Sequence, residues 1–343
     1  MSAAASLYEE ALAAQRAPLA ETPEPRELVR YATLAASGHN TQPWRFRLRA
    51  DRIDVEPDLS RRTPVVDPDD HHLYASIGAV TEALVLSARA RGIAAEAAYD
   101  DAGEGRVVVD LRPGATPPRD EARLFAAIPE RQCTRSLYDG RPAAVNAIDR
   151  MVAAAATHGV ELIYVSHPTR LEQLTELIVA GNAMQMDDSG FVGELKSWLR
   201  YAPRDAVARG DGLYGPCAGN PTLPAWLGPL VLPLVFRKSP ETKKLLRQIR
   251  SSSGLLVFVA SEDTRAGHVA AGRAYQRAAL QATADGLKLA FVNQTVEVPA
   301  QRAKLCELLG LGDRRPNLVL RVGHAPAMPK SLRRPVEEVV LAE

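Results

Sequence analysis

The chain contains 343 residues, of which 46% are hydrophobic, so it is long enough to bury a substantial core. Lys and Arg together number 42 and Asp and Glu number 41, which leaves a formal charge of +1. This balance excludes a global electrostatic attraction to nucleic acid or to an anionic membrane, and we predict neither as a partner.

The longest uncharged apolar run covers residues 223–236, and prolines and a glycine interrupt it, so we predict no membrane-spanning helix. The first residues reach Glu9 without the apolar stretch of a secretory signal, which favours a cytoplasmic protein. The cysteines are odd in number and widely spaced, which indicates a reduced compartment and no disulfide framework. They are Cys133, Cys217 and Cys306.

A helix is predicted over residues 26–34, followed by a loop of small and amide residues and then by a strand-like run over 44–55. In the loop, Ser37, Gly38 and Asn40 could present hydroxyl, N–H and carboxamide groups on one concave surface. Such groups suit a planar polar heterocycle or an anion. A capped turn beside a buried Trp44 explains the same residues equally well.

Residues 67–72, Asp-Pro-Asp-Asp-His-His, have the composition of a metal cluster. Because the acids directly precede a predicted helix, we interpret them as groups that cap its first N–H groups. Four further histidines lack ligand spacing and indicate surface or core positions, and they are His158, His167, His268 and His324. We therefore predict no metal site.

An internal repeat aligns residues 78–92 with residues 272–286, and the bounding glycines of both copies are offset by 194. Each copy is typical of an Ala-rich and Leu-rich helix that ends near a left-handed glycine, Gly92 or Gly286. Chance similarity between two Ala-rich helices is the alternative. As a duplication, the repeat predicts two related halves.

The stretch 110–119 is rich in Pro and Gly and is the natural boundary between these halves. We therefore predict an α+β fold with an N-terminal half over 1–120 and a C-terminal half over 121–343. The second half carries an insertion over about 185–250, upstream of a predicted strand at 255–260. Its Trp198, Trp226 and Phe236 favour packing as a lid over a site, and a solvated excursion is the alternative.

The insertion contains a literal GxGxxG pattern at Gly210, Gly212 and Gly215. A helical sequence precedes it and Pro216 follows it, so the strand-turn-helix context of a dinucleotide-binding site is missing. We predict no Rossmann motif.

A basic segment follows the predicted boundary. Arg131 and Arg135 stand four residues apart, which would place them on one helix face as a claw for a phosphate, and a solvated arginine pair is the alternative. Near the C-terminus, Lys330, Arg333 and Arg334 could add a further cation.

These residues together resemble the nitroreductase superfamily of FMN-dependent oxidoreductases, and within it the single-chain, duplicated Acg-like branch. The most specific part is Ser-Gly-His-Asn-Thr-Gln-Pro-Trp-Arg-Phe at 37–46. The two repeat helices, the arginine segment and the terminal Arg-Arg-Pro follow in the family's order. The resemblance thus runs over nearly the whole chain.

The resemblance implies that one half takes the role of each subunit of the family's usual homodimer, with FMN bound between them. Arg131 and Arg135 would bind the phosphate, the 37–42 loop would contact the flavin, and backbone N–H groups at 291–294 would meet its pyrimidine edge. Cys133 stands where the family has Ser or Thr, and a thiol is a weak donor. The cofactor-binding residues implied are Ser37, Gly38, His39, Asn40, Gln42, Arg131, Cys133, Arg135, Asn293, Lys330, Arg333 and Arg334.

Because the flavin carries the chemistry, the resemblance implies no catalytic side chain. It implies transfer of hydride or electrons from NAD(P)H to a small aromatic or quinone-like acceptor. A flavin-sequestering protein with little turnover is the alternative. Each half lacks the motif that the other supplies, so we predict one composite FMN site per chain. A duplicated chain favours a monomer, with a homodimer as the alternative.

Overall fold

The computed structural model describes residues 3–224, 226–228 and 237–342. Its helices are α1 (Ala3–Gln15), α2 (Pro25–Ala32), α3 (His71–Arg89), α4 (Ala122–Ala127), α5 (Val145–Ala156), α6 (Pro168–Asp187), α7 (Ser189–Ser197), α8 (Pro203–Arg209), α9 (Lys238–Arg250), α10 (Arg265–Ala284), α11 (Gln294–Glu297), α12 (Pro299–Leu309) and α13 (Val336–Val339). Its strands are β1 (Trp44–Leu48), β2 (Arg52–Pro57), β3 (Ile93–Asp100), β4 (Arg106–Pro113), β5 (Glu161–Val165), β6 (Leu199–Arg200), β7 (Leu213–Tyr214), β8 (Gly254–Val259), β9 (Lys288–Phe291) and β10 (Pro316–Gly323). The α+β class is confirmed. No helix among these residues combines the length and apolar character needed to cross a membrane.

The first sheet has the strand order β1-β2-β4-β3, and each neighbouring pair is antiparallel. The predicted strand at 44–55 is a hairpin, because residues 49–51 turn the chain between β1 and β2. Trp44 and Phe46 are fully buried, whereas Arg45 between them is exposed. This alternation fixes the face of β1 that meets the core.

The second sheet has the order β5-β8-β10-β9 and is likewise antiparallel. Every residue of β8 and β10 is buried, which explains the apolar run that predicted a strand at 255–260. The two sheets therefore share one spatial order: the first, second, fourth and third of their four strands, numbered along the chain.

The long helices α3 and α10 pack against each other between the sheets. They cross where small residues face one another, with Gly78 on one helix and Gly272 on the other. Gly92 and Gly286 follow the two helices with φ values of 72° and 75°. These angles confirm the left-handed glycines predicted after both copies of the repeat.

The predicted boundary at 110–119 begins inside β4, which continues to Pro113. After Gly114, which has a φ of 89°, the chain runs without a helix or strand until α4. The Pro and Gly content of the stretch therefore marks the end of the first sheet.

The arginine segment 131–135 is extended, so the prediction of a shared helix face was wrong. Cys133 forms a parallel bridge with Leu289, and the Thr134 N–H donates to the Leu289 carbonyl at 2.8 Å. Alternate residues of an extended segment share one side. The same spacing of four thus still places Arg131 and Arg135 together.

The insertion folds into the end of α6, then α7, β6, α8, β7, a 3-10 turn at 215–218 and α9. The ring of Trp198 lies 5.3 Å from the guanidinium of Arg61 and 5.9 Å from that of Arg200. Trp226 is 72% exposed, so its predicted packing was wrong. Phe236, like most of the apolar run at 223–236, lies outside the described residues.

The glycines of the GxGxxG pattern allow close approach of backbone segments. Gly210 ends α8 with a φ of 61°, and a Cβ there would lie 2.6 Å from the Arg333 carbonyl oxygen. The pattern follows a helix and leads into β7 and a 3-10 turn. It therefore lacks the strand-turn-helix context of a dinucleotide site, as expected.

Candidate functional site

Two adjoining cavities lie between the sheets, the insertion and the C-terminal segment. The larger has a volume of about 360 Å³ and the smaller about 80 Å³. Ser37, Arg135 and Phe291 line both, so the cavities share a wall. The larger volume falls in the range of small-molecule sites.

The smaller cavity is strongly basic. Four of its five cations come from the predicted basic segments, and the fifth is an arginine that follows α1. These basic residues are Arg16, Arg131, Arg135, Lys330 and Arg333. Cys133 also lines this cavity. None of the described residues that line it is a carboxylate, so the cavity suits an anion.

Arg131 is 5% exposed and holds its guanidinium at the cavity wall. It donates to the Leu34 carbonyl at 3.0 Å and to the Tyr275 hydroxyl at 3.4 Å. Its Nε–H is buried and has no hydrogen-bond partner among residues 3–224, 226–228 and 237–342. A buried, charged donor in this state is costly, and an anionic oxygen would satisfy it.

Arg16, which follows α1, was missed by the sequence analysis. It donates to the Ser331 carbonyl at 3.0 Å, while its Nε and Nη1 are buried and have no partner among the described residues. Burial, and next the charge of Arg131, lower the pKa of Arg16 to about 10. No motif around Arg16 marked it, because α1 reaches the site only through tertiary packing.

Arg333 has a bracing role. Its guanidinium donates to the carbonyls of Thr33, Leu34 and Ala35, each at 2.8–3.1 Å. Burial, with the nearby Arg16 charge, lowers the pKa of Arg333 well below its ordinary value. The residue thus anchors the C-terminal segment under the 37–42 loop and adds positive charge to the cavity.

Lys330 lies at the rim of the smaller cavity. Its Nζ donates to the Pro129 carbonyl at 2.9 Å and to the Glu130 carboxylate at 2.7 Å. The Glu130 side chain is exposed, so it partly neutralises the Lys330 charge from the solvent side of the rim.

Two of the residues predicted to contact the cofactor, Arg334 and Gln42, are not brought to the wall of either cavity. Arg334 lines neither cavity, because its guanidinium points away from both and donates to the Glu338 carbonyl at 3.0 Å. Gln42 is fully buried; it donates to the Gly210 carbonyl at 2.9 Å and accepts from the Arg334 N–H at 2.9 Å. Gln42 therefore connects the loop to the insertion and the C-terminal segment.

The 37–42 loop is held in an unusual backbone conformation. His39, Asn40 and Gln42 have φ values of 46°, 55° and 54°. Left-handed angles are uncommon for residues other than glycine and collect at functional sites. Ser37 accepts the Gln42 N–H through its Oγ at 3.0 Å, which fixes the turn.

Asn40 uses its side chain to join two segments. Its Nδ2 donates to the Gly212 carbonyl at 3.1 Å and to the Leu332 carbonyl at 3.2 Å. Its own carbonyl accepts the Gly212 N–H at 3.1 Å. Asn40 lines the smaller cavity, but both side-chain donors hold protein carbonyls. This geometry favours the capped-turn interpretation of its carboxamide.

Gly38, His39 and Asn293 face the larger cavity. Gly38 has open space where a Cβ would stand, so its backbone borders the cavity directly. Asn293 precedes α11 and accepts the Val319 N–H through Oδ1 at 2.8 Å. The adjacent Gln294 has a buried Oε1 that accepts no hydrogen bond from the described residues, which makes it an available acceptor for a bound molecule.

The insertion supplies one wall of the larger cavity. Apolar side chains from α6, α7, β6, β7 and α9 contribute, and they are Met186, Phe191, Leu195, Leu199, Leu213 and Leu245. Asp211 connects this segment to the body of the protein through an ion pair with Arg61, and it pairs with Arg200 within the insertion. The wall suits an apolar or aromatic molecule.

A polar pair stands at another wall of the larger cavity. His72 Nε2 lies 3.6 Å from Glu297 Oε1, and Glu297 Oε2 accepts from Gln185 Nε2 at 2.6 Å. Burial raises the pKa of the Glu297 carboxyl and lowers the pKa of the His72 imidazole. No motif pointed to this pair, because its members lie far apart in the chain.

The carboxylate of Asp67 caps α3, as predicted. It accepts the N–H groups of His72 and Leu73 at 3.0 and 2.9 Å. Burial raises the pKa of Asp67 to about 6. Helix-start chemistry therefore explains the acidic group before the paired histidines.

A comparison with known proteins bears on this site. The chain is 28% identical over 329 residues to a protein found in two strains of Mycobacterium tuberculosis, covering 92% of this chain and 90% of the relative. That protein carries the provisional name NAD(P)H nitroreductase. The resemblance to nitroreductases is confirmed. No family model matches the chain.

Solved structures give a weaker likeness. A nitroreductase with bound FMN from Desulfitobacterium hafniense has a TM-score of 0.41 at 12% identity, covering 64% of this chain and 98% of that one. An NADPH:FMN oxidoreductase from Vibrio harveyi complexed with NAD+ has a TM-score of 0.39 at 13% identity, covering 64% and 76%. Likenesses at this level support no conclusion about the site.

Proposed function

We propose that this chain is an FMN-dependent oxidoreductase that passes electrons from NAD(P)H to a small aromatic or quinone-like acceptor. The observation that carries the proposal is the set of buried, unpartnered guanidinium donors of Arg16 and Arg131 in a basic cavity that adjoins a larger one. A phosphate would satisfy these donors while the attached ring system extends into the larger space.

The residues present fit FMN in charge and in shape. Arg16, Arg131 and Arg135 would hold the phosphate, with Lys330 at the rim. Ser37, Gly38 and Asn293 would border the ring. When bound, FMN supplies the hydride and electron transfer, and the protein contributes binding, orientation and exclusion of water.

We infer further that the chain is a fused pseudo-dimer with one flavin site. The equal strand order of the two sheets supports a duplication. Ala79, which lines the larger cavity, has Arg273 as its counterpart in the second repeat copy. The Arg273 guanidinium donates to Glu82 at 2.8 Å, so a charged side chain stands where an open site needs a small one.

Flavin sequestration with little turnover remains the second candidate. It is favoured by the insertion, whose apolar side chains line the larger cavity and whose residues 210–212 are bound to the 37–42 loop. A wall held in this way would restrict the approach of a nicotinamide to the ring.

An absorption spectrum of the purified protein tests the proposal, repeated without oxygen after adding NADPH and then NADH. We expect a flavin spectrum that bleaches with one of them. Flavin that neither nicotinamide reduces would favour sequestration. A protein that is colourless and takes up no added FMN would contradict both candidates.

A further inference from the structure

His72 and Glu297 lie on the wall of the larger cavity and have no part in flavin binding as described above. Their side chains are 11% and 18% exposed, and the atoms that face each other are 3.6 Å apart. His72 Nε2 is buried and has no hydrogen-bond partner in the part of the chain that the structure describes. Two titratable groups at such a place need a physical explanation.

The neighbouring groups favour the Glu297–His72 pair as the site that holds a proton. His71 stacks on His72 with ring centroids 4.6 Å apart, and Asn317 Nδ2 lies 3.2 Å from His71 Nε2. Because Asn317 Oδ1 accepts the Ala260 N–H, its Nδ2 is the donor, and His71 Nε2 accepts. Burial lowers the pKa of His71 well below its ordinary value, so His71 stays neutral.

On the cavity side of the pair, the neighbouring histidine is also neutral. Burial, and next the charge of Arg135, lower the pKa of His39 to about 4, so this imidazole is neutral at pH 7. Burial brings the proton affinities of Glu297 and His72 toward each other, since one pKa rises and the other falls. Further charged groups that act on the pair and on its neighbours are Asp67, Asp69, Asp263, Arg302 and Arg315.

We propose that Glu297 and His72 form a proton-donating pair for the acceptor that is reduced in the larger cavity. The inference rests on the proposed function. Reduction of a quinone to a hydroquinone by NAD(P)H consumes one hydride, one proton and the quinone, and yields the hydroquinone and NAD(P)+. The nicotinamide supplies the hydride and is oxidised. The pair supplies the proton to an acceptor oxygen, and solvent returns it.

Gln185 positions the pair. It belongs to α6, at the start of the insertion, and its Nε2 holds Glu297 Oε2 at 2.6 Å. Because the Gln185 amide holds Oε2 of Glu297, the other carboxylate oxygen, Glu297 Oε1, faces His72. The insertion thereby connects the apolar wall of the cavity with its proton source.

The test compares two acceptors with different proton requirements. Benzoquinone needs protons for its reduction, whereas ferricyanide accepts an electron without one. Glu297→Gln and His72→Gln are measured beside the wild type and beside His167→Gln, which changes an exposed histidine away from the cavity. General acid catalysis contributes about 10²–10⁴-fold. We expect both cavity variants to slow benzoquinone reduction at least tenfold and to leave ferricyanide reduction within about twofold.

A second readout needs no turnover. Nitrogen-15 NMR of histidine side chains in the flavin-free protein follows the His72 titration, which the His72→Gln spectrum assigns. We expect Glu297→Gln to shift the apparent pKa of His72 and His167→Gln to leave it unchanged, because the pair titrates as a unit.

Equal quinone rates in all four proteins across pH 5–8 would overturn the proposal. So would an equal loss with quinone and ferricyanide, since that result means damage to flavin binding. If neither nicotinamide reduces the wild type, the proposed function fails. Reoxidation of the dithionite-reduced protein by the same two acceptors then decides whether the pair delivers a proton.

Discussion

Gly78 of α3 and Gly272 of α10 each face the backbone of the residue that lies three positions before the other. A Cβ on Gly78 would overlap the carbonyl of Val269, and a Cβ on Gly272 would overlap the carbonyl of Ala75. This reciprocal contact is the form that a two-fold axis imposes on a homodimer interface. Here it occurs within one chain, at the residues that the repeat aligns.

Alanine at either glycine should strongly destabilise the protein. The obstacle is a backbone carbonyl, so relief requires the two helices to separate. Overpacking usually costs about 1–3 kcal/mol and more where the backbone must move. We expect Gly78→Ala and Gly272→Ala each to lower the unfolding free energy by at least about 2 kcal/mol in urea titrations.

Gly193 is the matched control for this experiment. It lies in α7 with open space at its Cβ position, so Gly193→Ala should be neutral or slightly stabilising. Wild-type stability in both core variants would show that the helices do not pack as closely as described.

Removal of the buried cations should weaken flavin binding. Hydrogen bonds to charged groups contribute about 1.5–3 kcal/mol, so Arg16→Ala and Arg131→Ala should each raise the Kd for FMN roughly 10-fold to 150-fold. Fluorescence titration of the flavin-free protein measures this change. Arg334→Ala is the control, and its affinity should match that of the wild type. Equal losses in all three variants would contradict the assignment.

One flavin should bind per chain. The position in the second half that corresponds to the proposed flavin site contains the ion pair of Arg273 with Glu82. The Glu82 side chain of this pair is fully buried. Saturating the protein with FMN, removing the excess and comparing flavin with peptide absorbance gives the ratio. A value near two would show that the second site is functional.

Glu82 should make stability depend on pH. Burial alone would raise its pKa, but the bond with His158 and the charges of Arg273 and Arg277 outweigh burial and hold the pKa far below its ordinary value. The unfolded pKa is about 4.3. Because the folded pKa is lower, the carboxylate stabilises the protein above about pH 4, and this contribution is lost as the pH falls.

Glu82→Gln removes this dependence, leaves Arg273 without its carboxylate partner and leaves Arg277 paired with Glu121 alone. Breaking a buried pair in this way costs about 3–5 kcal/mol. We expect that loss at pH 7 in urea titrations, and a smaller difference from the wild type at pH 3. Stability curves that stay parallel between pH 7 and pH 3 would contradict the assignment.

The sequence predicted the local features of the site well. The glycines after the two repeat helices, the Asp67 cap and the arginine pair at 131–135 are each encoded within a few residues. The spacing of Arg131 and Arg135 correctly predicted that their side chains share one side, although the segment is extended. Residues four apart share a face in a helix and in an extended segment alike.

Features set by tertiary packing were not predictable in this way. Arg333 and Arg334 are adjacent in an extended segment, so their side chains point to opposite sides. Arg333 points toward the smaller cavity and Arg334 points away from it, and only the neighbouring segments decide which does which. Arg16 joins the site because Tyr8 and Gln15 of α1 bind the carbonyls of Lys330 and Arg333. Such contacts leave no periodic pattern.

The basic cavity is built from residues near the start, the middle and the end of the sequence. A ribosome releases Arg16 first, then Arg131, and Lys330 and Arg333 much later. Until the last segment has emerged, the 37–42 loop lacks its brace and the cavity lacks a wall. Binding of the proposed cofactor would therefore wait until residues 330–333 have been synthesised, and contacts of such long separation make assembly of the cavity slow.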